Sequence, residues 1–265
     1  MHYHFVKNFY MPKKYYGQNF LTDESISDKI VELEDINNSN ILEIGPGNLA
    51  LTKKILDKKP KNFCAIEIDR DLVNKYQKSY LSKNIIHFDA LKFNERSFFK
   101  NKKFKIISNL PFNISTKLLI KWIKIKNEYN CIDSMTLMFQ KELAERIIAN
   151  KNSKKYGRIT ILANAFFEIE KKLFIKKNNF FPVPKVDAIV LKFSSLKKNK
   201  IKKQNLSKLE KITTLFFNER RKKNAKKIKK LFNEKIIKKH NLEKFYTYRP
   251  EDLDKNIYYM LSDLL

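Results

Sequence analysis

The chain has 265 residues, with 56 Lys and Arg against 28 Asp and Glu, a formal charge of +28. At 43% apolar residues it can bury a core, which excludes global disorder. No run approaches the ~18 apolar residues of a membrane span, and the first residues contain no apolar signal core. Two distant cysteines, Cys64 and Cys131, exclude a disulfide scaffold and a Cys-based metal site. The expectation is a soluble, reduced, cytoplasmic, monomeric protein that binds no metal.

Helical spacing of Ile26, Ile30, Val31 and Leu33 predicts a helix over 24–34. A short apolar strand follows at 40–44, then a Gly-Pro-Gly turn and a helix over 49–59. The alternation continues with a strand at 62–68, a helix at 71–81, strands at 84–88 and 104–108, a helix at 115–125, a strand at 134–140 and a helix at 142–149. Beyond residue 150 the pattern weakens. Residues 168–175 and 186–193 read as two more strands, flanking a Pro-interrupted segment that is not expected to be regular. From Leu206 the chain turns helical. Leu206, Leu209, Ile212, Leu215 and Phe216 form one apolar stripe, and further helices are predicted near 222–232 and 251–264. The fold class is α/β, a Rossmann-like and mainly parallel sheet with a small C-terminal all-helical domain. The predicted division is 1–195 and 196–265, with the boundary inside 194–205.

Lysine outnumbers arginine 49 to 7, and Lys, Asn, Ile and Phe share A/T-rich codons, so codon bias supplies one account of the charge. It does not account for clustering. Residues 192–240 carry 17 Lys and 2 Arg against 3 Glu, which favours a surface for a polyanion, in this class of chain a nucleic acid. The same bias makes glycine informative, since only Gly17, Gly45, Gly47 and Gly157 remain.

Gly45 and Gly47 lie in EIGPGNLA (43–50), where a strand turns into a helix whose free N–H groups face an anionic ligand. The match to a dinucleotide fingerprint is weak alone. Glu67 follows at the end of the next strand, 20 residues after Gly47, where an acid accepts hydrogen bonds from a ribose diol. Asp89 ends the third strand, placed either for an adenine amine or as a cap of the next turn. These features suit nicotinamide and S-adenosylmethionine (SAM) enzymes alike.

SNLPFNIS (108–115) is more specific. It is a variant of the Asn/Asp-Pro-Pro-Tyr/Phe signature of amino-group methyltransferases. An adenine amine is a poor nucleophile because its lone pair is delocalised. The Asn109 side-chain oxygen and the Leu110 carbonyl can each accept one amine hydrogen and aim the nitrogen lone pair at a methyl donor. Pro111 fixes the turn and brings no competing N–H. Phe112 can stack on a flipped base and face the charge that develops on it.

GQNFL (17–21), EIGPGNLALT (43–52), EIDRDL (67–72), NLPFNIST (109–116), FQKELAERI (139–147), YGR (156–158), FFPVPKVDAIV (180–190), FNERRKK (217–223) and YRPEDL (248–253) occur in that order. Together they resemble the ribosomal RNA adenine dimethyltransferase family over all but the first dozen residues. The resemblance implies a SAM-dependent methyltransferase sheet and dimethylation of adenine amines in 16S small-subunit rRNA, two adjacent adenines, during ribosome biogenesis. It implies that Asn19 and Leu21 help close the SAM site, that Gly45 and Gly47 lie beside the cofactor, that Glu67 holds its ribose and Asp89 its adenine. Asn109 would stand between cofactor and target base, with Phe180 packing on the base opposite Phe112. Arg220, Arg221, Lys222 and Lys223 would belong to the rRNA grip on a pre-30S particle. Phe112 stands where small-subunit relatives usually carry Tyr, which preserves stacking and loses a phenolic hydrogen bond. FNERRKK and RPEDL favour the small-subunit branch over the large-subunit, macrolide-resistance branch. A non-catalytic assembly factor on the same fold has no need of NLPF, and a nicotinamide enzyme has no use for GQNFL or the basic region.

Overall fold

The computed structural model describes residues 10–77, 79 and 81–265; His2 and His4, an HxH pair expected to bind no metal, lie outside them. The strands are β1 (Phe20–Leu21), β2 (Asn40–Ile44), β3 (Asn62–Glu67), β4 (Ile85–His87), β5 (Phe104–Asn109), β6 (Ile132–Gln140), β7 (Phe167–Ile175), β8 (Phe180–Phe181) and β9 (Ala188–Ser195). Seven form one sheet in the order β4-β3-β2-β5-β6-β9-β7. β4, β3, β2, β5 and β6 are parallel, and β9 pairs antiparallel with both β6 and β7. Strand order reverses between β2 and β5. A crevice therefore opens at their C-terminal ends, where ligands of open α/β sheets bind.

The central strands are continuous apolar runs because helices cover both faces. Ile41, Leu42 and Ile44 of β2 are all buried. On one face lie α1 (Glu24–Val31) and α2 (Ala50–Asp57), packed on Ile107, Met138 and Val190. α1 starts where the Asp23 side chain accepts from the Ser25 amide. α3 (Arg70–Tyr76) is capped in the same way by Asp69 and ends five residues before the predicted limit. On the other face lie α4 (Glu95–Phe98), α5 (Ser115–Tyr129), α6 (Lys141–Ile147) and α7 (Arg158–Asn164). Trp122 of α5 is fully buried there, its indole N–H donating to Glu95 at 3.0 Å. Cys64 and Cys131 are buried free thiols.

α7 is absent from the sequence reading. Its residues are almost all buried, so no polar face gives a helical period. The C-terminal helices are α8 (Leu206–Asn218), α9 (Ala225–Leu231), α10 (Glu234–Lys239) and α11 (Lys255–Leu264). Leu206, Leu209, Ile212 and Phe216 are buried as the stripe predicts, with Leu215 half-buried beside them. The apolar cluster runs without a break from Phe139 of the sheet through Ile161 of α7 into Phe216 and Tyr258 of the helical region. Among the described residues no helix is long and apolar enough to cross a membrane, and no group of three or more His, Cys, Asp or Glu side chains is placed to hold a metal ion.

Candidate active site

A pocket at the C-terminal edge of β2, β3 and β5 is walled by Gly45, Gly47, Glu67, Asn109, Leu110, Pro111 and Phe112. Its fourth wall is the N-terminal segment 16–21, which includes Asn19 and Leu21. Residues from four separate motifs thus meet in one place.

The glycines have steric reasons. Gly45 has φ +67°, and a Cβ there would stand 3.3 Å from Pro111 Cγ, so the NLPF loop can press against this turn. Gly47 has φ +54°, and its Cβ would stand 2.8 Å from the Phe20 ring. The turn and the N-terminal segment are therefore in direct contact.

Three asparagine amides hold that segment across the pocket. Asn109 Nδ2 donates to the Asn19 carbonyl (2.9 Å), Asn113 Nδ2 to the Tyr15 carbonyl (3.1 Å) and Asn48 Nδ2 to the Leu21 carbonyl (2.9 Å). Below them Asp69 accepts from Lys13 Nζ (2.8 Å), Gln18 Nε2 (3.0 Å) and the Tyr10 hydroxyl. Asn48, Asp69 and Asn113 lie inside recognised motifs, yet the sequence reading gave them no role. Their partners are backbone atoms or residues dozens of positions away, which no local pattern announces. The open space left in the pocket is about 50 Å³, far below the ~300 Å³ of a small-molecule site.

The bond to Asn19 fixes the Asn109 amide with its nitrogen on the strap. Its Oδ1, and the Leu110 carbonyl, accept no hydrogen bond among the described residues. Two carbonyl acceptors without a donor thus belong to successive residues at the end of β5 that line the pocket together with the half-buried Phe112.

Two carboxylates share the floor. Glu67, 4% exposed, accepts from the amides of Asp69 (3.0 Å) and Gly47 (3.4 Å). Burial raises its pKa, opposed by those amides. Glu43, on β2, accepts from Thr52 Oγ1 at 2.7 Å. Burial pushes its pKa up to about 8, with the Thr52 hydrogen bond acting against the rise and the Glu67 charge adding to it. Between the normal glutamate pKa and about 8, the folded chain keeps a proton on Glu43 that the unfolded chain has released. Stability must then fall as pH rises through that window, by up to about 1.4 kcal/mol per unit. Glu43→Gln is expected to gain stability over wild type progressively from pH 5 to 8 in denaturant unfolding. A gap independent of pH would mean that Glu43 ionises like an exposed acid.

Asp89 does not line this pocket. Its Oδ1 accepts from the Leu91 amide at 2.9 Å, the capping alternative. It still lies at the strand end beside Glu67, since the Phe88 amide donates to the Glu67 carbonyl (2.9 Å). Phe180 is not among the residues that line this pocket. It is 2% exposed, pairs with Leu21 across the two-residue sheet β1–β8, and sits in the core with Ile175 and Met138. The alternation of a strand turns it inward and leaves Phe181, before the cis Pro182, 44% exposed.

Nor do the FNERRKK residues form one set. Arg220 is built into the fold, with Nε donating to Glu251 (2.9 Å) and its terminal nitrogens to the carbonyls of Ser153 (2.9 Å) and Lys154. It ties YRPEDL to the loop before YGR. Lys222 pairs with Glu219 at 2.7 Å, while Arg221 and Lys223 are exposed without such partners among the described residues. Arg220→Ala is expected to cost about 1–3 kcal/mol of stability, measured by thermal unfolding; an unchanged melting temperature would contradict the clamp.

Sheet order, the glycine turn at the switch point, and the paired acceptors after β5 define a methyltransferase of the Rossmann-like class. The chain belongs to the ribosomal RNA adenine dimethylase family, whose model matches residues 11–249. It is 42% identical to Ribosomal RNA small subunit methyltransferase A of Pelagibacter ubique (strain HTCC1062) over 96% of each chain. It is 37% identical to the protein of that name from Malacoplasma penetrans (strain HF-2), over 95% of this chain and 91% of the relative. A dimethyladenosine transferase from Plasmodium falciparum superposes with a TM-score of 0.74 at 26% identity, covering 91% of this chain and 95% of that one. The 23S rRNA methyltransferase ErmE shares the fold, with a TM-score of 0.70 at 21% identity, over 93% and 99% of the two chains.

Proposed function

We propose that the chain dimethylates the exocyclic amines of adenines in small-subunit rRNA, two adjacent adenines of a pre-30S particle, using SAM in the pocket between β2, β3 and β5. The observation that carries this is the pair of open acceptors, Asn109 Oδ1 and the Leu110 carbonyl, fixed beside the glycine turn. SAM supplies an electrophilic methyl group. Glu67 accepts from its ribose, and Gly45 and Gly47 admit it close to the backbone. Asp89, with one carboxylate oxygen on its own turn, offers the other to the adenine edge.

Asn109 and Leu110 draw the two hydrogens of the target amine, and Phe112 stacks on the flipped base. No general base is needed, because the amine is acidic once methylated and cationic. The segment 16–21 opens to admit the cofactor and closes over it, excluding water. The protein acts in the cytoplasm, as a monomer.

We assign residues 1–195 to catalysis and 196–265 to a basic helical unit that grips rRNA through phosphates, which set position and affinity. Arg221 and Lys223 are its exposed members in FNERRKK, with Lys222 beside them. Arg221→Ala with Lys223→Ala is expected to leave stability within about 0.5 kcal/mol and to flatten the log–log salt slope of particle binding by about 1–2. Parallel slopes would place the grip elsewhere.

The branch is tested by supplying labelled SAM with small-subunit or large-subunit particles that lack adenine dimethylation. Label in the small-subunit rRNA alone is expected. Label in the large-subunit rRNA alone would assign the chain to the other branch.

A further inference from the structure

A second concave surface lies away from the cofactor pocket, between segment 91–96 and α5. It is a groove of about 570 Å³, and five of its twelve lining residues are Lys or Arg. Sorting those five by partner decides what they can do. Lys121 is internal: its ammonium meets Glu95 (2.8 Å) and the carbonyls of Ala90 (2.7 Å) and Phe93 (2.6 Å). It braces the groove wall. Lys92 and Lys117 are exposed and carry no partner among the described residues. Lys124, exposed, stands 3.4 Å from the half-buried Glu210 in a loosely held pair. Arg96 donates its Nε–H to Asn101 Oδ1 and lays its guanidinium 4.1 Å from the centroid of the Tyr129 ring, which is itself 47% exposed. Cations ready for phosphate and an aromatic ring ready for a base thus share one groove, the combination used for single-stranded nucleic acid.

Its placement gives the groove a direction. Lys117 is in the first turn of α5, just after the NLPF loop, to which Ser115 Oγ is tied through the Phe112 carbonyl (3.1 Å). From Lys117 to Tyr129 the helix rises about 18 Å. Near its far end, α5 meets the start of the helical unit: Asn127 Nδ2 donates to the Lys203 carbonyl (3.0 Å), and Lys203 pairs with Glu128 (2.9 Å). The groove therefore runs from the place where the base is presented to the foot of the basic helices.

We infer that this groove carries the single-stranded rRNA that connects the target adenine to the helical grip, with Lys92, Lys117 and Lys124 on phosphates and the Arg96–Tyr129 pair stacking on a base. The inference rests on the rRNA methyltransferase reading above and adds a track on the catalytic unit. A second basic hollow, with Lys59, Lys61 and Lys102 on its wall, lies at the opposite, N-terminal edge of the strands. It tests whether lysine abundance alone produces such an effect.

The experiment compares the full chain with Lys92→Ala/Lys117→Ala/Tyr129→Ala and with Lys59→Ala/Lys61→Ala/Lys102→Ala. Binding to small-subunit particles lacking adenine dimethylation is measured from low to moderate salt, with SAM affinity and thermal unfolding measured alongside. The groove variant is expected to bind at least tenfold more weakly and to lose about 1.4–1.8 from the salt slope, one phosphate contact for each of the two lysines removed. Its SAM affinity should stay within twofold. The opposite-edge variant should bind within twofold of wild type. Lys117→Glu alone, an exposed change, should weaken binding more than Lys61→Glu. Equal binding by both triple variants would overturn the groove while leaving the methyltransferase reading intact. Failure of the wild-type chain to bind or methylate the particles would overturn that reading, and the groove with it.

Discussion

Asn109→Ala is expected to slow single-turnover methyl transfer about 10²–10³-fold, the cost of removing one preorganised acceptor at a reacting centre. SAM affinity should change less than about fivefold, because the amide contacts the target amine in the transition state and touches the cofactor site only through the strap. The strap contact is separable. Asn109 Nδ2 uses the backbone carbonyl of Asn19, so Asn19→Ala keeps that bond and should retain most of the rate. Phe112→Ala should lower the rate as Asn109→Ala does, and Phe112→Tyr should be tolerated, since both rings stack. An Asn109→Ala protein that transfers methyl at near wild-type rate would remove the amide from the chemistry.

Glu67→Ala is expected to weaken SAM binding by about 1.5–3 kcal/mol, roughly 10–150-fold, by deleting a charged acceptor of two hydrogen bonds. Burial raises the pKa of this carboxylate, and the sign of the pH effect follows. The anion is the better acceptor and exists only above the raised pKa. Affinity should fall on the acid side, beginning at a higher pH than for an exposed glutamate. Glu67→Gln should bind weakly throughout and lose that acid limb. Calorimetry across pH checks both; unchanged affinity in Glu67→Ala would take Glu67 out of the ribose role.

Most of the sheet was legible because parallel strands covered on both faces are apolar runs separated by helices of ordinary period. β2 and β3 stand within a residue of their predicted limits. α7 was not legible, since a helix buried all round loses its period. The two-residue pairing of β1 with β8 was not legible either, because it depends on chain segments about 160 residues apart.

The same division runs through the site. Gly45, Gly47, Glu67 and Asn109 to Phe112 line one pocket, and turn chemistry and strand ends mark them in the sequence. The strap anchors Asn48, Asn113 and Asp69 were missed because their partners are remote in sequence. Phe180 is buried in the core, and motif position does not say which way a strand residue points. Arg220 and Arg221 looked equivalent as neighbours, yet one is a clamp between three loops and the other is open to solvent.

The decisive measurement is nucleoside analysis of small-subunit rRNA after incubating undimethylated particles with SAM and the purified chain, with reverse-transcription stops to locate the product. N6,N6-Dimethyladenosine is expected at neighbouring adenines, formed by the wild-type chain and not by Asn109→Ala within the same time. Particles that bind the chain yet gain no methylated adenine, or that gain it equally from Asn109→Ala, would contradict the proposed function.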